Sequence, residues 1–321
     1  MSEGTSWPEV WARRKDAHCL WIVSPEGYPH SAAFHEVALS LQESFAEMGG
    51  SLPIVSSRAD AKGRRPILLG GNLLGLLPDP SLPAGAIIYN LEQLFEGNPW
   101  LSQNPVYVAA MRTHPVFDYS DRNIETLRAL GIGHAHRLGV GFSPCLRRIG
   151  TSSEPDIDVL FYGSLNARRN AVIEALRDRG LRAAAIFGVY GEERDRIVAR
   201  SKIVLNVHQH RHAFEIVRVS YLLANEVCVV SEGTPDDPEI APLAEGLALA
   251  PYDALAQTCI DLIHDPDRRT AIARKGFELF SARKQSDFLR SALLSLSRHG
   301  HASRARRRLG VVGRFLGLSR G

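Results

Sequence analysis

The chain has 321 residues, 45% hydrophobic, 23% charged and 7% aromatic, the balance of a folded globular protein and not of a disordered, collagen-like or disulfide-built one. The formal charge of +3 is uneven: residues 298–321 carry seven arginines and no carboxylate, leaving 31 basic and 35 acidic residues before them, a net of −4. A nucleic-acid enzyme spreads basic surface over its body, so nucleic acid is excluded as the body's partner and an anionic macromolecule or surface falls to the tail at most.

Along the chain, HCLWIVS (18–24) reads as a buried strand and SPEGYP as the loop after it. Phe34, Val37, Ala38, Leu41 and Phe45 then recur at helical spacing, and Gly49 and Gly50 stop that helix. PILLGG (66–71), AIIYNL (86–91), VYVAAM (106–111) and PVFDYS (115–120) are short apolar runs bounded by turns. Residues 121–130 are helical in pattern and HRLGVGF (136–142) reads as a strand. GTSSEPD (150–156) is a polar linker, after which strands at 157–163, 182–188, 202–208 and 227–232 alternate with helices at 167–180, 191–201 and 213–225. Helical patterns continue over 238–245, 252–264, 266–283 and 285–297. Strands alternating with helices of about a dozen residues predict α/β layering on parallel, doubly wound sheets. The expected division is residues 1–150, 151–285, and a helix with a basic tail over 286–321.

No window reaches the roughly 20 apolar residues that span a bilayer, and the first residues do not form a secretory leader, so a cytoplasmic location is expected. Cys19, Cys145, Cys228 and Cys259 are far apart and read as reduced thiols. No GxGxxG follows a strand, and GxxxxGK[ST], GxSxG and HExxH are absent, which removes the corresponding dehydrogenase, P-loop, hydrolase and zincin readings.

The densest signal is SKIVLNVHQHRHAFEIVRVSYLLANEVCVVSE (201–232): a strand, a polar loop, Phe-Glu-x-x-Arg opening a helix, then a Val-rich strand ending in Ser-Glu. With DVLFYGSLNARR upstream, and IIYNLEQL and VFDYSDRNIETLRALG in the first half, the chain resembles GT-B glycosyltransferases, closest to CgeB-like and group 1-type bacterial enzymes. The resemblance implies two Rossmann-like doubly wound domains facing a cleft, the first binding acceptor and the second a nucleoside-diphosphate sugar. It implies no cofactor beyond that substrate and no bound metal.

Gly163 and Ser164 end a strand ahead of a helix, a geometry that offers backbone N–H groups to an anion, with Arg168 and Arg169 one turn in. By resemblance Arg218 steadies the departing diphosphate and Glu215, three residues before it, holds hydroxyls of sugar or ribose. Asn206, His208, His212 and Glu232 complete the implied donor set. Two donor-site glutamates common in retaining relatives fall here on His212 and Ser220, which leaves the anomeric outcome open. HQHRH lacks a carboxylate or cysteine to complete a metal set, and the triplets Asp156-Ile157-Asp158 and Asp265-Pro266-Asp267 read as structural. For a general base the first half offers Glu92, Asp118 and His30, in that order.

The function expected is transfer of a sugar to a hydroxyl of a polysaccharide, lipid-linked or secondary-metabolite acceptor. The alternatives are a non-catalytic GT-B-like carbohydrate-binding or partner protein, and a nucleotide-sugar epimerase. The tail, with arginines among Val, Leu and Phe, suits peripheral contact with an anionic membrane at its inner face.

Overall fold

A computed structural model describes residues 6–95, 97–150, 152, 154–209 and 214–298. After a first helix, α1 (Trp7–Ala12), β1 (His18–Ile22) leads through a 3-10 turn into α2 (His35–Glu47), and β2 (Ile54–Val55), β3 (Arg65–Leu69) and β4 (Ile87–Asn90) follow. Then come α3 (Pro99–Ser102), α4 (Pro105–Thr113), β5 (Val116–Asp118), α5 (Asp121–Ala129) and β6 (Ala135–Arg137). These six strands form one sheet in the order β2-β1-β3-β4-β5-β6.

The second series runs β7 (Ile157–Tyr162), α6 (Ala167–Arg177), β8 (Ala183–Ile186), α7 (Gly191–Ala199), β9 (Ser201–Asn206), α8 (Ile216–Ala224), β10 (Val229–Glu232) and β11 (Ala248–Ala250). α9 (Leu255–Ile263), α10 (Pro266–Ser281) and α11 (285–298) close the described chain. The second sheet is ordered β11-β10-β9-β7-β8, and every pairing in both sheets is parallel.

Strands buried on both faces need continuous apolar runs, which explains sequences such as HCLWI and IDVLFY. In the second sheet the strand period of two divides one run between two cores. Leu160, Val204 and Val229 face α8 and α10 through Val219, Leu222, Leu223 and Phe280. Their neighbours Val159, Ile203, Leu205 and Val230 face α6 and α9 through Val172, Leu176, Leu255, Cys259 and Leu262. All five apolar positions read at helical spacing around α2, Phe34 to Phe45, are buried.

The run VYVAAM is helical, inside α4. Asn104 caps it by accepting from the Tyr107 backbone N–H at 3.1 Å, Pro105 suits the first turn, and Tyr107, Ala110 and Met111 are buried at helical spacing. The short strand β11 has no counterpart among the sequence expectations; its three residues are too few for a periodic signal.

The chain forms two compact units that do not follow chain order: residues 6–23, 45–139 and 286–298 make the first, and 24–44 with 140–285 the second. In the first, α11 is held by His136 Nδ1 and Ser295 Oγ at 2.8 Å, and by Phe288, whose ring would lie 3.0 Å from any Cβ added at Gly139. In the second, the loop and most of α2 belong with α7: Arg194 Nη2 donates to Glu36 Oε1 at 2.7 Å across 158 residues.

Candidate functional site

In open parallel sheets, ligands sit beyond the carboxyl ends of strands at the point where strand order reverses. In the second unit the chain goes from β7 out to β8 and back to β9, so that point lies between β7 and β9. Gly163 follows β7 with φ +133, and a Cβ there would come within 2.6 Å of Arg218 Nη2; only glycine accommodates both the backbone and the arginine.

Asn166 caps α6 by accepting from the Arg169 N–H at 2.9 Å, which turns the Arg169 side chain inward. Arg169 is only 1% exposed. Its Nε donates to the Val207 carbonyl at 3.0 Å, its Nη1 to Ser164 O at 2.8 Å and Ser164 Oγ at 3.2 Å, and its Nη2 to Glu215. Glu215 occupies the N-cap position of α8, one residue before the helix, and its other oxygen contacts Arg218 as an ion pair. Arg218 Nη1 donates to Asn206 Oδ1 at 3.0 Å, and Asn206 Nδ2 to Ser231 Oγ at 3.0 Å. Two arginines thus share one carboxylate beneath the Phe161 ring.

A second group lies at the ends of β9 and β10. Arg168 makes a two-pronged bond to Glu232, donates to the His208 carbonyl at 3.1 Å and lies over the Tyr252 ring at 3.9 Å. Glu232 also accepts from the His208 backbone N–H at 3.0 Å. Burial pushes the Glu232 carboxyl up, but Arg168 and His208 outweigh it and hold the group below its usual value. Burial pulls the His208 imidazole down against the nearby Glu232 and Glu215, so the ring is neutral at physiological pH.

Nine expected donor residues, Gly163, Ser164, Arg168, Arg169, Asn206, His208, Glu215, Arg218 and Glu232, therefore converge on one rim. His212 lies outside the described residues.

In the first unit, Glu92 follows β4 and keeps part of its side chain exposed. Asn72 Nδ2 donates to its Oε1 at 3.1 Å, and burial pushes the carboxyl up to about 7 while that bond opposes. Asp118 is fully enclosed. It accepts from Asn90 Nδ2 at 2.7 Å, Ser120 N at 2.8 Å and Asn123 Nδ2 at 3.0 Å, so both oxygens tie strand ends to the start of α5. Burial pushes Asp118 up to about 7 as well, against those bonds. His30 falls in the second unit, its Nδ1 2.7 Å from the Tyr190 hydroxyl and its ring 4.7 Å from that of Phe187.

Sequence reasoning missed Asn72, Asn90, Asn123 and Tyr252, and Tyr107, whose hydroxyl donates to Asn90 Oδ1. The asparagines share a faint signal: Asn72 and Asn90 stand where an apolar strand stops, and buried amides there serve the loops beyond. In the two DxD triplets, Asp265 caps α10 by accepting from Arg268 N at 2.9 Å, Asp158 pairs with Arg182 and Lys202, and Asp156 pairs with Arg200. Among the described residues no three His, Cys, Asp or Glu side chains are grouped to hold a metal ion, and no helix is long and apolar enough to cross a membrane.

Residues 145–287 match the family described as "Glycosyl transferase-like". Over 134 residues, 40% of its length, the chain is 27% identical to an uncharacterised protein of Acanthamoeba polyphaga mimivirus, of which it spans only 15%. Among solved structures it is similar to Anabaena HepE in complex with UDP and glucose, with a TM-score of 0.58 and 12% identity, covering 90% of this chain and all of that one. Sucrose-phosphate synthase from Thermosynechococcus elongatus gives 0.54 at 13% identity, covering 93% and 100%. TarM gives 0.53 at 10%, covering 74% of this chain, which spans 55% of TarM. The fold is that of GT-B glycosyltransferases.

Proposed function

We propose that this protein is a glycosyltransferase that moves a sugar from a nucleoside-diphosphate sugar to a hydroxyl of a carbohydrate, lipid-linked or small-molecule acceptor. The observation that carries the reading is the buried Arg169 and the partly buried Arg218 sharing the single carboxylate of Glu215 at the switch point of the second sheet. That leaves one positive charge in a place of low dielectric, where an anion is strongly favoured. As the bond from sugar to phosphate breaks, negative charge grows on the leaving diphosphate, and Arg218 with the N–H groups after β7 stabilises it. Glu92, half-ionised near neutral pH, suits a base that takes the acceptor's proton. Two similar structures support the donor class: HepE holds UDP and glucose, and a TarM variant holds UDP with alpha-GlcNAc-glycerol.

Calorimetric titration with UDP, GDP, ADP and CDP tests the donor site, and mass spectrometry of a glycosylated product tests the transfer. Binding of at least one diphosphate is expected, with loss of binding in Arg218→Ala. Absence of binding to all four would sink the reading.

A further inference from the structure

The net charge of −4 before residue 298 conceals a local excess of the opposite sign. β1 and β3 pair in parallel with His18 opposite Arg65, so the segments that enter them, 13–17 and 62–65, meet at the amino edge of the first sheet. That edge is the one away from the carboxyl-end rim. The two segments carry Arg13, Arg14, Lys15, Lys62, Arg64 and Arg65 against one carboxylate, Asp16, a net of +5. Sequence reasoning left anionic partners to the tail and missed this cluster, because its halves are joined only by strand pairing.

The four guanidinium groups are held without being neutralised. Arg13 Nε donates to the Glu9 carbonyl at 3.0 Å, and Arg64 Nη1 to the carbonyls of His18 at 3.2 Å and Ser51 at 3.1 Å. Arg14 Nη1 donates to His18 Nε2 at 3.3 Å. A guanidinium only donates, so the ring proton stands on His18 Nδ1, which donates to the Arg65 carbonyl at 3.1 Å. Burial and Arg14 hold that imidazole down to about 4, so it adds no charge. The Arg65 stem passes over Gly85, where an added Cβ would lie 3.1 Å from Arg65 Cδ. All these acceptors are neutral, and none of the four arginines forms an ion pair among the described residues. Burial, Arg65 and Arg13 pull Arg14 below its ordinary value, as like charges pressed together do.

The tail leaves from the same edge. Phe288 lies against Gly139, beyond the end of β6, and Ser295 bonds His136 within it, so α11 runs back along the sheet towards the amino edge and ends there at residue 298. Six further arginines follow in 299–321. Clustered like charges cost free energy that a counter-anion removes. Guanidinium forks match phosphate oxygens in pairs, and an excess of this size is balanced by a multiply charged partner.

We propose that Arg13, Arg14, Arg64 and Arg65 form an anion site at the amino edge of the first sheet that binds clustered phosphate groups. The site is separate from the donor rim and does not rest on the donor reading. Such phosphates come as headgroups of an anionic lipid surface or as a soluble oligophosphate, and the experiment separates the two.

The full chain carrying Arg218→Ala, which disables the donor rim, is tested at low salt against inorganic tripolyphosphate by calorimetry. It is tested in parallel by co-sedimentation with vesicles of phosphatidylglycerol and phosphatidylcholine in equal parts. Binding of the vesicles assigns lipid headgroups; binding of tripolyphosphate alone assigns a soluble source. In either case adding Arg13→Gln with Arg65→Gln weakens binding about thirtyfold, a factor of about five for each basic residue lost beside anionic headgroups. Arg179→Gln with Arg196→Gln, exposed in the second unit, changes binding by about twofold at most, and phosphatidylcholine vesicles alone do not bind. Removing residues 299–321 leaves part of the binding in place. Absence of binding to either anion, equal weakening by the two double variants, or complete loss on removing 299–321 overturns the inference. With Arg218 restored, Arg13→Gln with Arg65→Gln keeps its nucleotide affinity, and a fall there shows that the two sites are not separate.

Discussion

The carboxyl-end rims of the two sheets are built from similar backbone and opposite electrostatics. Around β3, β4 and β5 the buried polar groups are amides, Asn72, Asn90 and Asn123, and the carboxyls among them, Glu92 and Asp118, are pushed up to about 7 by burial. Around β7, β9 and β10 the partners are guanidinium groups, and Glu232 is held below its ordinary value. Amides solvate a carboxylate without neutralising it, so the first rim keeps groups that exchange protons near pH 7. Guanidinium groups fix charge at every working pH, so the second rim keeps permanent positive charge. That contrast suits one rim to proton transfer and the other to holding a diphosphate.

The largest test of the contrast is Arg169→Met, which strands Glu215 and the acceptors on Val207 and Ser164 in the interior. Removing one partner of a buried charge pair is expected to cost about 3–5 kcal/mol, read from urea unfolding. A loss near zero would show that Arg218 alone satisfies Glu215. Next comes Arg218→Gln, where turnover is expected to fall about a hundredfold, as when one donor to developing negative charge is removed. A normal rate with weakened nucleotide binding would place Arg218 in ground-state binding only.

The two rims also respond to pH with opposite sign. The raised carboxyl of Glu92 favours the folded state at low pH, and that stability is lost as pH rises from the ordinary glutamate value through about 7. Glu92→Gln, which cannot ionise, is therefore expected to gain about 1–2 kcal/mol on the wild type at pH 8 and nothing at pH 4. Glu232 is depressed, so its contribution is present above the ordinary glutamate value and fades as pH falls below it. Glu232→Gln should lose stability at pH 7 and converge on the wild type in acid. Urea midpoints at three pH values check both, and a difference independent of pH would contradict the assignment. The smallest expected effect is from deleting residues 299–321: nucleotide affinity measured by calorimetry should not change, since the second rim carries its own arginines.

How much of this was legible in the sequence follows from the range of the forces. Arg168 and Arg169 are adjacent and look alike as letters, yet Arg169 is buried against Val207 and Glu215 while Arg168 turns to Glu232 across 64 residues. Adjacent residues of α6 point to different sides of the helix, and two neighbouring arginines carry no periodic signature of which one turns inward. His30 looked like a residue of the first half because the chain passes from β1 into it, but its neighbours are Tyr190 and Phe187. Residues 24–44 belong to the second unit through contacts such as Glu36 with Arg194, which sequence distance conceals.

By itself the sequence determined the alternation of strands and helices, the two doubly wound sheets and the placing of charged and polar residues at strand ends, because hydrophobic period, turn chemistry and capping act over a few positions. Only the tertiary structure decided which arginine faces which carboxylate, which carboxyls burial pushes up and that His208 Nε2 has no hydrogen-bond partner. Those outcomes depend on burial and on side chains brought together from far along the chain, where the cost of an unmatched charge, and not local propensity, selects the arrangement.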